Sequence, residues 1–413
     1  MDAVRAQYEA FPYPARDPAE EAHRLIQGSP SHPVEIDHFL FGGRRDWRKP
    51  FRALVAGGGT GDGLVMLAQK LSDIGCPAEI TYLDLSTASR AVAEARVAAR
   101  GLDVRFLTAD LAEAPGLGPF DYIDCCGVLH HLAEPDAGFR ALAEALAPDG
   151  GIGLMVYAPY GRTGVYALQE SFGLLLSGDT PAEKLALAKE VLDGLPESNW
   201  LKRNPFVGDH KESDAGLYDL LLHAQDRAYD IGALLAAVDR AGLAAVSVLE
   251  PRRYDPTLYL PQSAALHERV RALSKAERMG LAERLAGNMK THVLYATRAE
   301  HAAMAMVGSG PFLAPDLVPH LTVDPGALAR QVAKAGGFRL ALDGLSHWIG
   351  VGVGRQPQDP LASRKCAEMI ARIDGRRPLA EIALPTVPES GWAGFDAAMR
   401  GFNLLHYSKG ARR

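Results

Sequence analysis

Between residues 51 and 157, short apolar runs alternate with stretches whose apolar positions recur every three or four residues. Arg52–Ala56, Glu79–Leu83, Val104–Leu107, Tyr122–Cys126 and Ile152–Tyr157 read as strands. Between them, Leu64, Leu67, Ala68 and Leu71 keep a helical period, Thr87–Arg100 is alanine-rich, and Ala137–Leu146 forms a further helical stretch. Ser86 or Thr87 is placed to cap the alanine-rich helix, and Pro148-Asp149-Gly150-Gly151 to close the last one. Strands alternating with helices at this spacing imply a parallel sheet with right-handed crossovers, a doubly wound α/β domain.

The pattern then loosens. Residues 158–228 hold no clear strand and read as a mostly helical insertion. Ile231–Ala241 resumes the helical period, Ala244–Leu249 reads as a strand, residues 262–287 as helical, and His292–Ala296 as a final strand. We therefore expect one α/β domain over 51–298, interrupted at about 158–228. Residues 1–50, with Tyr8, Phe11, Pro12, Tyr13, Pro14 and Trp47, form an irregular or partly helical lead-in. Residues 299–413 form a smaller α+β region. Within it a helix over Leu361–Ile373, the turn Asp374–Pro378 and Leu379–Ile382 suggest a winged-helix-like module suited to contact with another protein.

Composition narrows the function. The chain has 413 residues, 47% hydrophobic and 23% charged, enough for more than one buried core. A net charge of −6 gives no overall positive field, which argues against non-specific nucleic-acid binding. No apolar run approaches the roughly 20 residues that span a bilayer, and the N-terminus lacks the pattern of a signal peptide. Cys76, Cys125, Cys126 and Cys366 fit neither a disulfide framework nor a zinc spacing, so we expect a cytoplasmic protein without a bound metal.

The chemistry is concentrated at the predicted strand ends. The first strand runs into Gly57, Gly58, Gly59, Thr60 and Gly61, and Asp62 opens the following helix, a turn that lets a ligand approach the backbone. Asp84, followed by Leu85, ends the second strand, where a carboxylate can accept from both hydroxyls of a ribose. Asp110, followed by Leu111, ends the third and could accept from an adenine amino group. The fourth strand leads into Gly127-Val128-Leu129-His130-His131-Leu132. The glycine turn and Asp84 would equally suit a nicotinamide-dependent oxidoreductase, which accounts for neither Asp110 nor the paired histidines.

In Leu54–Gly61, Tyr82–Ser86, Thr108–Leu111, Gly127–Leu132 and Leu146–Gly151 the chain resembles the class I S-adenosylmethionine (SAM)-dependent methyltransferases. The resemblance implies a seven-stranded, mostly parallel sheet with a reversed final hairpin. It also implies SAM lying across the strand ends, with S-adenosylhomocysteine as product. Gly57, Gly58, Gly59, Gly61, Asp62, Asp84, Leu85, Asp110, Leu111 and Gly127 are then the cofactor-binding candidates. The family usually carries an acid two positions before the first glycine, and here that position is Val55. The cofactor's amino group must find another partner, Asp62 or a group from the lead-in. Val55 also leaves open a SAM-binding scaffold without activity.

Because the sulfonium already activates the methyl group, an enzyme of this kind mainly positions its acceptor, and a base is required only for a protonated nucleophile. Acceptor-side candidates are Tyr13 in the aromatic lead-in, which is a lid or an anchor, His130 and His131, Tyr157 after the fifth strand, and His223 and Arg227 at the close of the insertion. The acceptor itself, a protein or a small molecule, is not written in these motifs.

Overall fold

The computed structural model describes residues 2–305, 315–342, 345–350, 360–384 and 389–410. The remaining residues of the expected C-terminal region lie outside the described ones. The lead-in contains α1 (Asp2–Ala10) and α2 (Pro33–Leu40). The central layer then runs β1 (Phe51–Ala56), α3 (Asp62–Asp73), β2 (Ala78–Asp84), α4 (Thr87–Ala99), β3 (Arg105–Thr108), β4 (Phe120–Cys126), α5 (Pro135–Ala145) and β5 (Leu146–Tyr157). The insertion supplies α6 (Val165–Leu175), α7 (Pro181–Gly194), α8 (Trp200–Arg203), α9 (Asp209–Glu212) and α10 (Asp214–Leu221). The core resumes with α11 (Ile231–Arg240), β6 (Leu243–Val248), α12 (Ala264–Arg271), α13 (Lys275–Ala286) and β7 (Thr291–Arg298).

These seven strands form one sheet in the order β3-β2-β1-β4-β5-β7-β6. β1 pairs in parallel with β2 and β4, whereas β7 runs antiparallel to both β5 and β6, the reversed hairpin expected from the motifs. The order turns outward in both directions from β1 and β4, so their carboxyl ends flank the crevice where open α/β sheets take ligands.

Alternation along each strand sorts the two cores. Leu54 and Ala56 face one side with Ile123 and Leu154, under α5, α11 and α13. Ala53 and Val55 face the other with Tyr122 and Tyr295, under α2, α3 and α4. The expected elements are present with small differences. Ser86 caps α4 by accepting from Ser89 N–H. β5 starts at Leu146 rather than Ile152 and absorbs the proline–glycine turn, because Leu146 pairs with Phe120 before a register shift. The 262–287 stretch is two helices, because Ser274 and Glu277 form a capping box that starts α13 afresh.

After α14 (Ala302–Ala305) come β8 (Val318–Leu321), α15 (Pro325–Ala335), the hairpin β9 (Gly337–Leu342) and β10 (Leu345–Gly350), α16 (Pro360–Ala371), α17 (Leu379–Ile382), α18 (Glu389–Gly401) and β11 (Leu405–Ser408). They enclose a separate apolar cluster around Val332, Ile370, Trp392 and Met399. β11 docks on α2: Ser408 Oγ and Trp47 Nε1 both donate to Asp37, and Tyr407 N–H donates to His38 Nδ1. The lead-in thus does two jobs. Its second half is an anchor, with α2 buried along its whole length. Among the described residues, no helix is long and apolar enough to cross a membrane.

Candidate active site

The loop after β1 is shaped by close approach as much as by torsion. Gly57, Gly59 and Gly61 have φ of 70°, 51° and 98°, in the region that favours glycine. A Cβ on Gly57 would lie 2.3 Å from Val128 Cγ2, and one on Gly58 would lie 2.4 Å from Tyr82 Cε2. Asp84, at the end of β2, accepts from Gly59 N–H and Ser86 N–H, each at 2.8 Å. Burial pushes its carboxyl upward while these donors hold it down. Each oxygen keeps a further lone pair for a ligand hydroxyl. Asp110 accepts from Ala112 N–H in a capping box with Glu113, and Leu111 is buried behind it. Leu85 is half-buried beside Asp84, and Gly127, with φ of 80°, turns the chain out of β4. The cofactor candidates therefore lie on the four neighbouring strand ends of β3, β2, β1 and β4.

The first half of the lead-in covers this rim. Ser86 Oγ donates to the Tyr8 carbonyl, Thr60 Oγ1 donates to the Pro14 carbonyl, and Glu9 accepts from the first N–H groups of α4. The Tyr13 carbonyl lies 3.1 Å from where a Gly59 Cβ would stand. Arg16 forks onto Asp62 at 2.8 and 2.6 Å, and the buried Arg96 bridges Asp62 at 2.7 Å and Glu21 at 2.6 Å. Both oxygens of Asp62 are thus engaged by arginines, which hold its carboxyl below the usual range against the upward push of burial.

A carboxylate that the sequence did not single out lies one strand away. Asp124 on β4 is the in-register partner of Val55 on β1, so it occupies the same face as the position where the family carries its acid. It is buried beside Gly63, accepts from Ser31 Oγ, and burial raises its carboxyl to about 6. The available signal was a charge interrupting the apolar run between Ile123 and Cys125.

Next to the rim is a buried cluster of polar side chains, the acceptor-side chamber of the family reading. Tyr8 from α1, Tyr157 from β5, Asp219 from α10, His130 and His131 from the short 3-10 turn Leu129–His131, and His223 from the loop after α10 converge there. Tyr8 Oη donates to Asp219 at 3.0 Å, and Tyr157 Oη donates to the other oxygen at 3.1 Å. His223 Nδ1 accepts from Gln225 N–H at 3.0 Å, so a neutral ring carries its proton on Nε2, 3.1 Å from Tyr8 Oη. His131 Nδ1 lies 2.8 Å from the Gln225 carbonyl, which can only accept, so this nitrogen is the donor and Nε2 keeps its lone pair. The His131 and His223 rings stack at 3.7 Å. Burial, and secondarily the neighbouring His131, push His130 and His223 well below the usual histidine range. Burial, and next Asp219, push the Tyr8 and Tyr157 phenols well above theirs. Asp219 is itself raised by burial.

Some hydrogen-bonding capacity here is unused. Both ring nitrogens of His130 and Oδ1 of Asp226 are buried without a hydrogen-bond partner among the described residues. Such groups are costly unless something else satisfies them. Ligating atoms of His131, Asp219 and His223, and of His130, His131 and Asp226, lie within 4.8 Å of one another, a spacing that a metal ion could use. His223 could ligate through Nε2 only as an anion, given its Nδ1 bond. Asp226 already faces the Arg162 guanidinium at 3.4 Å, a cation beside which a second is disfavoured.

The other acceptor-side candidates divide. Tyr13 is half-buried, its phenol pushed up by burial and then by Asp209 and Asp219, which places it on the chamber's insertion side. Tyr157 lies under Arg162, whose guanidinium stands 3.6 Å from its ring centre. Arg227 contributes backbone, its N–H donating to the His130 carbonyl, while the residue itself is exposed. Tyr8, Asp219, Asp226 and Arg162 belong to the same constellation. Tyr8 stood in the lead-in, and Arg162, Asp219 and Asp226 lie within eight residues of the candidates Tyr157, His223 and Arg227, but nothing in residue spacing could show that segments about 200 residues apart meet.

Residues 54–152 match the family model described as a methyltransferase domain. An uncharacterised protein of Synechococcus sp. is 32% identical over 293 residues, covering 68% of each chain. A ubiquinone biosynthesis O-methyltransferase of Caulobacter sp. is 34% identical over 119 residues, which is 28% of this chain and 44% of that enzyme. Among solved structures, PKMT2 from Rickettsia typhi in complex with AdoHcy superposes with a TM-score of 0.62 over 92% of this chain and 76% of that one, at 12% identity, a likeness of fold. With the strand order, the glycine loop and the strand-end acids in place, the chain belongs to the class I SAM-dependent methyltransferases.

Proposed function

We propose that this methyltransferase acts on a small polar molecule with a protonated oxygen or nitrogen nucleophile, held in the chamber, with His131 as general base. SAM supplies a methyl group activated by its sulfonium. The glycine cradle and the paired strand-end carboxylates fit such a cofactor: Asp84 would accept from ribose hydroxyls, Asp110 from the adenine amino group. With Asp62 committed to two arginines, we assign the supporting carboxylate on the methionine side to Asp124, in register with Val55.

The observation that carries the acceptor reading is the His131 hydrogen bond to the Gln225 carbonyl, which leaves the Nε2 lone pair to take a proton. The neutral His223 stacks against it without adding charge, and Asp219 is close enough to stabilise the imidazolium that forms. His130 and Asp226 supply unused polar atoms to orient the acceptor. Roofing by α1 and the insertion favours a small molecule over a broad macromolecular surface. We also assign residues 1–50, 51–298 and 299–413 to separate roles as lid and anchor, catalytic domain and accessory module, a division supported by the separate C-terminal apolar cluster. The four unpaired cysteines support a cytoplasmic setting.

The test is incorporation of label from methyl-labelled SAM into acceptors of a cell extract by wild-type protein and His131→Gln. We expect the variant's rate to fall about 100-fold or more, with loss of the acidic limb of the pH profile, while SAM affinity is kept. Incorporation by His131→Gln at the wild-type rate and with the wild-type pH profile would remove His131 from the reaction.

A further inference from the structure

A second cavity lies away from the methyl-transfer rim, at the free edge of the sheet. Among the described residues, β6 is the last strand in the order and pairs only with β7. The C-terminal helix α18, the segment after β6, and α12 and α13 close around that edge, leaving a cleft of about 750 Å³. That is the size of a site for a small organic ligand.

The lining is segregated by chemistry. Val246 and Val248 of β6, with Val270 and Met279, give an apolar floor. One side carries Arg271 at the end of α12 and Lys275 and Arg278 on α13. None of these three cations has an ion-pair partner among the described residues, and Lys275 and Arg278, three apart on one helix, would repel each other. The two carboxylates in the lining are already taken. Asp255 is paired with Arg252, and Asp396 accepts from Tyr407 Oη and faces Arg400.

A further observation points to a ligand. His267, one turn before Arg271 on α12, also lines the cleft, and its Nε2 is buried without a hydrogen-bond partner among the described residues. The unpartnered ring nitrogen is costly where it is buried, and the three cations, with Arg271 and Lys275 exposed and Arg278 half-buried, put an uncompensated positive charge at the edge of an apolar floor. An anionic group would satisfy the cations, and an attached apolar body would fill the floor.

We propose that the cleft at the β6 edge is a binding site for an amphipathic anion, a carboxylate or phosphate ester attached to an apolar chain or ring. Its walls join the catalytic core to α18 and to His38 and Phe39 of α2, so an occupant contacts both parts of the molecule. The proposal stands independently of the acceptor chamber, with which the cleft shares no residue.

The test is calorimetric titration of the full chain with octanoate, octyl phosphate, octanol and inorganic phosphate, followed by the same titrations of Lys275→Glu/Arg278→Glu and Val246→Trp. Thermal unfolding and SAM titration report whether each variant remains folded. We expect octanoate, octyl phosphate or both to bind at least about tenfold more tightly than octanol and inorganic phosphate, since head and tail both contribute. The charge-reversed variant should lose about tenfold or more of that affinity, Val246→Trp should lose it by filling the floor, and SAM affinity should not change. Binding of octanoate alone would identify a carboxylate site and of octyl phosphate alone a phosphate site. Equal binding of octanol, equal binding by the charge-reversed variant, or no binding by wild-type protein that still takes up SAM would overturn the proposal.

Discussion

The cofactor rim and the acceptor chamber lie side by side and are built in opposite ways. The rim comes from one continuous stretch: Gly57–Gly61, Asp84, Asp110 and Gly127 each fall at the end of a successive strand. Its geometry is set by backbone, through positive φ at three loop glycines and through Asp84 gripping Gly59 and Ser86. The chamber is assembled from side chains of widely separated segments, with Tyr8, His131, Tyr157, Asp219 and His223 joined by hydrogen bonds and stacking. A site made of strand ends follows once the sheet forms. A site made of convergent side chains can be retuned without disturbing the sheet, which lets one scaffold serve many acceptors. Tyr8 joins the two: its carbonyl accepts from Ser86 on the rim, and its hydroxyl reaches Asp219 and His223 in the chamber.

Substitutions can break this division or sharpen it. The largest effect is expected from Asp84→Ala, which removes a ligand acceptor and unlatches Gly59; SAM affinity measured by calorimetry should fall about 100-fold or more. His131→Gln should show the opposite signature, a large loss of turnover with SAM affinity within about threefold of wild type. Gly57→Ala attacks the rim through backbone, since its Cβ would overlap Val128 at a positive φ. Chemical denaturation should show a loss of roughly 2–4 kcal/mol from strain and overpacking. Tyr8→Phe keeps the rim contact and cuts the bridge to Asp219, so turnover should fall about tenfold with SAM binding nearly intact.

The smallest effect concerns Asp124. Its folded carboxyl titrates at about 6, above the unfolded value, so the folded state holds more protons between about pH 4 and 6. Stability therefore falls as pH rises through that window. Asp124→Asn should flatten the dependence, leaving stability at pH 4 nearly unchanged and raising it by roughly 1–3 kcal/mol at pH 8 in denaturant titrations.

The legibility of the sequence follows the same line. The core strands other than the edge strand β3, which is only half-buried, were readable because a buried strand must be apolar, and the reversed β7 followed from the family resemblance. Glycines at close approaches and acids at strand ends are local requirements, so they too appear in the local pattern. The lead-in could not be divided in advance, because Tyr8 and Pro14 face the rim while Asp37 and His38 face β11, a partner about 370 residues later. Arg227 stood out in sequence beside His223, yet only its backbone reaches the chamber, and Asp219, eight residues earlier, accepts the bonds from both phenols. Asp62 looked available beside the glycine loop, until Arg16 and Arg96 arrived from elsewhere to neutralise it.

The most direct test of this division is a set of three calorimetric titrations with SAM, of the wild-type protein, Asp84→Ala and His131→Gln. The account predicts micromolar binding by the wild type and by His131→Gln alike, and loss of most affinity in Asp84→Ala. If His131→Gln lost SAM as Asp84→Ala does, or if folded wild-type protein bound none, the separation of rim from chamber would be wrong.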